Sequence, residues 1–165
     1  MHQSLLCVPD ANVLIDLDVG GIVPHAFRLD VVWRAVDLVV EEELSAEGAD
    51  SWRRQGLHVD SLPGAQLRRV QPVQVAYPRL SVADIYCLLL AQHLGATLVT
   101  GDRDPRTAVE REGTDVHGTL WVLDQLVAGS ILAGMEAAVS LDRMLQGNRR
   151  LPRVECERRL RAWRG

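Results

Sequence analysis

Arg79-Leu-Ser-Val-Ala-Asp-Ile-Tyr-Cys-Leu-Leu-Leu-Ala-Gln-His-Leu-Gly-Ala-Thr-Leu-Val-Thr-Gly-Asp-Arg-Asp-Pro-Arg106 contains, in order, a helix start, a helix stop, a short strand and an acidic loop. Ser81 is a favoured N-cap, and Val82, Ile85, Leu88, Leu89 and Ala91 recur at helical spacing, so a helix is predicted from Ser81 to a stop at Gly95. Ala96 to Val99 is an apolar run of strand length, and Thr100-Gly101-Asp102 closes it. Asp84 then stands in the first turn of a helix and Asp102 just past the tip of a strand. In an open parallel sheet the ligand crevice lies outside the carboxyl ends of the strands, which makes both acids candidates for chemistry. Each also has an ordinary role open to it. Asp84 fits a capping box with Ser81, and Asp102 fits a turn.

Other acids fall at equivalent places. Leu5-Leu-Cys-Val-Pro-Asp10 is an apolar run closed by an acid, followed by an amphipathic helix that stops at Gly20-Gly21, so Asp10 occupies a strand-to-helix junction as a functional group or an N-cap. Ile22 to Leu29 reads as a short helix and Asp30 to Val36 as a strand. Asp37 opens a helix through Ser45 in which Glu43 shares the inward face of Val39 and Val40, Glu41 points elsewhere, and Glu42 stays an alternative to Glu43. Residues 46–56 read as a helix end and loop, Leu57 to Leu62 as a strand, and Gln66 to Ala76 as a helix broken or kinked at Pro72. Asp104-Pro105 reads as a capped helix start, which leaves Asp102 as the better functional candidate of the two. Thr114 to Gly118 is a last strand, Thr119 a cap for Leu120 to Ala128, and two helices follow near 132–146 and 153–163. Strands alternating with helices imply an α/β fold: a three-layer α/β/α sandwich with a central parallel sheet of about five strands and C-terminal helices. We divide the chain into a body at 1–130 and a helical extension at 131–165.

The composition narrows the chemistry. All 18 basic residues are arginine, and with no lysine every lysine-dependent mechanism is excluded. The net charge of −4 is uneven, since residues 149–165 are rich in arginine and the remainder is acidic. Such a tail suits either nucleic-acid contact or a solvated, partner-binding helix. Cys7, Cys87 and Cys156 have no Cys-x-x-Cys spacing, which speaks against a disulfide framework or a zinc site; Cys7 and Cys87 read as core. The histidines are scattered without ligand spacing. The longest apolar run, Ile85 to Ala91, is too short to cross a membrane, and no secretory signal is visible, so a cytoplasmic protein is expected.

Carboxylates brought to one sheet edge repel one another unless a cation sits among them, and all-oxygen ligation suits Mg²⁺ or Mn²⁺. Val8-Pro-Asp-Ala-Asn-Val-Leu-Ile-Asp-Leu17, Val39-Val-Glu-Glu-Glu-Leu44, Leu80-Ser-Val-Ala-Asp-Ile85 and Leu98-Val-Thr-Gly-Asp102 resemble, in order, the four acidic motifs of PIN domains. These are metal-dependent ribonucleases, many of them VapC-type toxins of toxin–antitoxin pairs. The resemblance spans about residues 5–128, and Gly118-Thr-Leu-Trp-Val-Leu123 with the helical tail resembles one PIN subgroup. It implies that Asp10, Glu43, Asp84 and Asp102 bind Mg²⁺ or Mn²⁺ and serve catalysis. It places Asn12 and Thr100 behind them as orienting groups, and it implies an RNA substrate, a small antitoxin partner and a homodimer. Arg79, Arg103 and Arg106 are candidates to steady phosphates, or are simply exposed charges. Two other readings compete. Val13-Leu-Ile-Asp-Leu-Asp18 superficially resembles the Asp-x-Asp motif of haloacid-dehalogenase phosphatases, with Asp16 and Asp18 in that role. A catalytically silent PIN scaffold that binds RNA or protein is the third.

Overall fold

The structure is a computed structural model and describes residues 3–101 and 103–165. Five strands form the sheet: β1 (Leu5–Pro9), β2 (Val31–Val36), β3 (His58–Asp60), β4 (Thr97–Val99) and β5 (Val116–His117). All are parallel, in the order β3-β2-β1-β4-β5, with Cys7 beside Trp33 on one side and beside Thr97 on the other. The chain steps from β1 outward to β2 and β3, then returns to lay β4 and β5 along the opposite edge of β1. The strand order therefore reverses between β1 and β4, and their carboxyl tips open the crevice that such a reversal creates.

Period-2 alternation sends successive residues of the central strands to opposite faces. Cys7, Trp33, Ala35 and Val99 face a core built with α1 (Ala11–Val19), α2 (Val23–Ala26), α4 (Ala46–Gln55), α9 (Thr119–Ala128), α10 (Gly134–Gln146) and α11 (Arg153–Arg164). Val8, Val36 and Leu98 face the other core, with α3 (Asp37–Glu42), α6 (Val70–Ala76), α7 (Val82–Leu94) and α8 (Arg103–Arg111). The sheet is thus covered on both sides, which its short, nearly all-apolar strands require. No helix of the described residues is long and apolar enough to cross a membrane.

The central helix α7 forms for local reasons. The Ser81 hydroxyl accepts from the Asp84 N–H and the Asp84 carboxylate accepts from the Ser81 N–H, at 3.0 and 2.9 Å, closing a capping box. At the other end Gly95 takes a left-handed conformation, φ 61°, which ends the helix where a side chain would be strained. Between these stops Ile85, Leu88, Leu89 and Ala91 are buried.

Four expectations change. Residues 46–55 are a full helix, α4, capped by Ser45 and stopped at Gly56. Only Ala49 and Trp52 of it are buried, so the apolar signal was too sparse to read. The helical stretch at 66–76 is two pieces, α5 (Gly64–Leu67) and α6, and the break falls at Arg68-Arg69, while Pro72 is accommodated in the first turn of α6. α8 opens at Arg103, so Asp104 lies within the helix and not ahead of it. The residue ahead of α9 is Gly118, and Thr119 is its first helical residue.

Ser81→Ala removes one half of the capping box at an exposed helix end. It is expected to cost about 1 kcal/mol, read as a lowered urea midpoint with an unchanged slope.

Candidate metal and nucleic-acid site

The tips of β1 and β4 are tied together by one carboxylate. Asp10, only 6% exposed, caps α1: its Oδ1 accepts from the Val13 N–H at 2.9 Å, and its Oδ2 accepts from the Thr100 hydroxyl at 2.5 Å. The Asp10 N–H in turn donates to the Val99 carbonyl at 3.0 Å. The acid is therefore both cap and junction residue, and Thr100 orients it as expected of a residue behind the site.

Glu43 and Asp84 approach from the neighbouring layer. Glu43 is the exposed C-cap of α3, and Asp84 is half-buried in the first turn of α7. Burial pushes the thiol of the buried Cys87, one turn further along α7, well above the ordinary range, and the charges of Asp10, Asp84 and Glu43 raise it further. Glu41, Glu42 and Glu43 are all exposed. Asp10, Asp84 and Glu43 thus lie within electrostatic reach of one buried thiol. Among the described residues no three potential ligands are drawn in to the spacing of a coordination shell. The fourth predicted acid, Asp102, lies outside the described residues. The donor chemistry fits a hard divalent cation, because the converging groups are all carboxylates and their combined field is negative.

Two cavities flank Gly101. One, of about 300 Å³, is lined by Asn12, Asp16, Asn148, Arg149 and Arg150. The other, of about 330 Å³, lies on the β5 side among Thr100, Arg106, His117, Trp121 and Arg159. Asn12 is exposed on α1, and the Arg149 Nη2 donates to its Oδ1 at 3.3 Å. Arg79 is exposed ahead of α7, and Arg103 is the first residue of α8.

Asp16 and Asp18 do not form a phosphatase motif. Asp16 is buried in the middle of α1, where Oδ1 accepts from the Arg149 Nε at 2.5 Å and Oδ2 from the Thr119 hydroxyl at 2.6 Å, while Asp18 is exposed. Thr119 is thus the partner of an acid 103 positions away and not a helix cap. The basic tail is also largely engaged with the protein itself. Arg149, Arg159 and Arg164 pair with Asp16, Asp124 and Asp142, and Arg153, Arg158 and Arg161 pair with Glu155 or Glu157 of α11. Among the described residues Arg150 has no such acid, and it stands exposed on the Asn12 cavity. The sequence had offered no sign that Arg149, Arg150, His117 or Trp121 would border the crevice, because each arrives there by long-range packing.

A family model described as DUF3368, a PIN domain, matches residues 6–164. Among solved structures, a PilT N-terminus domain protein of Sulfolobus solfataricus P2 is similar at 14% identity and a TM-score of 0.50, over 73% of this chain and 92% of its own. The protein PAE2754 of Pyrobaculum aerophilum is similar at 17% identity and a TM-score of 0.56, over 76% and 98% respectively. At these identities the likeness shows a shared fold. No curated protein sequence matches the chain.

Arg149→Met leaves the buried Asp16 carboxylate without its cation and is expected to destabilise the protein by about 3 kcal/mol in chemical denaturation. Adding Asp16→Asn should recover part of that loss, because the stranded charge is then gone.

Proposed function

The chain belongs to the PIN-domain family, and from that footing we propose that it is a metal-dependent endoribonuclease that hydrolyses RNA phosphodiester bonds with water as nucleophile. PIN domains are typically metal-dependent nucleases. The observation that carries the proposal is the buried Asp10 carboxylate, fixed by Val13 and Thr100 at the carboxyl tips of β1 and β4 where the strand order reverses. We assign Asp10, Glu43, Asp84 and Asp102 as the groups that hold Mg²⁺ or Mn²⁺. A divalent cation held there supplies Lewis acidity toward a phosphodiester and activates water at neutral pH.

The chain's own residues prepare the site. The Val13 N–H and the Thr100 hydroxyl fix the Asp10 carboxylate from two directions, so its orientation is set before any ligand arrives. The Ser81 N–H does the same for one oxygen of Asp84. Asn12, held by Arg149, sits one turn away from Asp16 on the same helix and presents a neutral amide toward the crevice. Arg150 adds an exposed guanidinium on the Asn12 side, placed to meet the phosphate backbone. Within this reading the protein is a cytoplasmic toxin, neutralised by a small antitoxin protein and working as a homodimer.

The test is cleavage of a pool of labelled structured RNAs by purified, partner-free protein. Cutting is expected with Mn²⁺ and not with EDTA. Asp10→Asn, Glu43→Gln, Asp84→Asn and Asp102→Asn should each abolish it. Thr100→Val, which removes only the orienting hydroxyl, should lower the rate roughly 10- to 100-fold. Glu42→Gln should leave it unchanged. Cutting that persists in EDTA, or in Asp10→Asn, contradicts the assignment. RNA binding without metal-dependent cutting points to a silent scaffold.

A further inference from the structure

The cavity on the β5 side of Gly101 holds an arginine whose Nε, among the described residues, makes no hydrogen bond. The Arg106 Nε is buried and has no hydrogen-bond partner among the described residues, a state that costs free energy in a folded protein. The arginine on the opposite wall is the contrast. Arg159 donates to both oxygens of Asp124, at 2.8 and 2.7 Å, and to Glu155 at 3.1 Å. Gly118 makes the room in which Arg106 lies, since a Cβ at that position would stand 3.3 Å from its Nη2.

An aromatic wall completes the cavity. The rings of His117 and Trp121 stack with centroids 4.5 Å apart and planes 5° from parallel. Burial, and then the charge of Arg106, hold the His117 imidazole below its ordinary pKa, so the wall is neutral at physiological pH. Leu120 and Leu151 add apolar surface. A flat, neutral wall facing the Arg106 guanidinium suits a planar heterocycle with acceptor atoms on its edge. It suits a phosphate poorly, because Asp124 and Glu155 line the same space and offset the charges of Arg106 and Arg159, leaving no excess of cations.

We propose that this cavity receives one unpaired RNA base next to the cleaved phosphate, stacked along His117 and Trp121 with its acceptor edge on Arg106, and that it prefers guanine. Guanine offers O6 and N7 together to an arginine fork, and adenine sets a donor beside N7. The carboxylates of Asp124 and Glu155 can accept from the remaining edge of guanine. Thr100 and Gly101 border the cavity, and Thr100 bonds Asp10, so a base seated here lies beside the acids. The inference rests on the nuclease reading and adds the determinant of which RNA is cut.

The experiment measures binding and not activity. The full-length protein in EDTA is titrated into labelled single-stranded heptamers of uridine whose central residue is guanine, adenine or abasic, followed by fluorescence anisotropy. Guanine should bind about tenfold tighter than the abasic strand, with adenine between them. Arg106→Gln should erase the guanine advantage and leave the abasic affinity unchanged. Its thermal midpoint should not fall, because the Arg106 Nε has no partner among the described residues to lose. His117→Ala should weaken both base-containing strands and spare the abasic one. Equal weakening of all three strands by Arg106→Gln overturns the proposal and makes Arg106 a general phosphate contact. Wild-type binding without base discrimination also overturns it, while leaving the nuclease reading intact. No RNA binding at all overturns it as well, and the Mn²⁺-dependent cleavage assay then decides the nuclease reading separately.

Discussion

The Asp10 carboxylate is the joint on which the rest of this structure depends. One of its oxygens starts α1 and the other is held by a hydroxyl at the end of β4, so two strands that are 90 residues apart in the chain end at a common point. The strand order reverses between those two strands, which makes the joint the floor of the crevice. A buried acid normally carries a desolvation cost that its hydrogen bonds must offset, and Asp10 has a backbone and a side-chain donor to do so. The same two donors fix its direction. Stability and the fixed direction of this carboxylate are therefore properties of the same contacts.

The C-terminal helices complete that arrangement from the opposite layer. α10 packs on α1 and α9, and α11 packs on α10. Arg149, just before α11, reaches the buried Asp16 and the side chain of Asn12. A tail that looks like a basic arm when charges are counted along the sequence is thus a strut under the helix that Asp10 caps. Its positive charge is mostly matched inside the protein, and among the described residues Arg150 is left facing the crevice on this side. Exposed pairs such as Arg153 with Glu157 contribute little to stability, whereas the Arg149 pair covers an acid that has no water to turn to.

Local signals were legible and long-range ones were not. Ser81, Asp84 and Gly95 marked both ends of α7, because caps are made by neighbouring residues. Val8-Pro-Asp10 and Leu98-Val-Thr100 marked the central strands and the places where acids could meet. The helix at 46–55 was missed since it is largely solvated and carries only two buried side chains, although Ser45 and Gly56 were available as its caps. Thr119 and Asp16 read as a helix cap and a helix-face acid, and only the fold reveals that they bond each other. The same holds for Arg106, His117 and Trp121, whose common cavity depends on how α8 and α9 lie against β5. Of the candidate acids, Asp10 is buried at the strand tips, while Asp84 sits in the first turn of α7 and Glu43 at the exposed end of α3.

The central claim is that these acids form one cation site, and direct titration of the protein with Mn²⁺, by calorimetry or by the electron paramagnetic resonance of free Mn²⁺, tests it most directly. The account predicts saturable binding to wild-type protein that Asp10→Asn and Asp84→Asn each abolish while the fold persists by circular dichroism. Absence of saturable binding in the wild type, or binding that survives both substitutions, would contradict it.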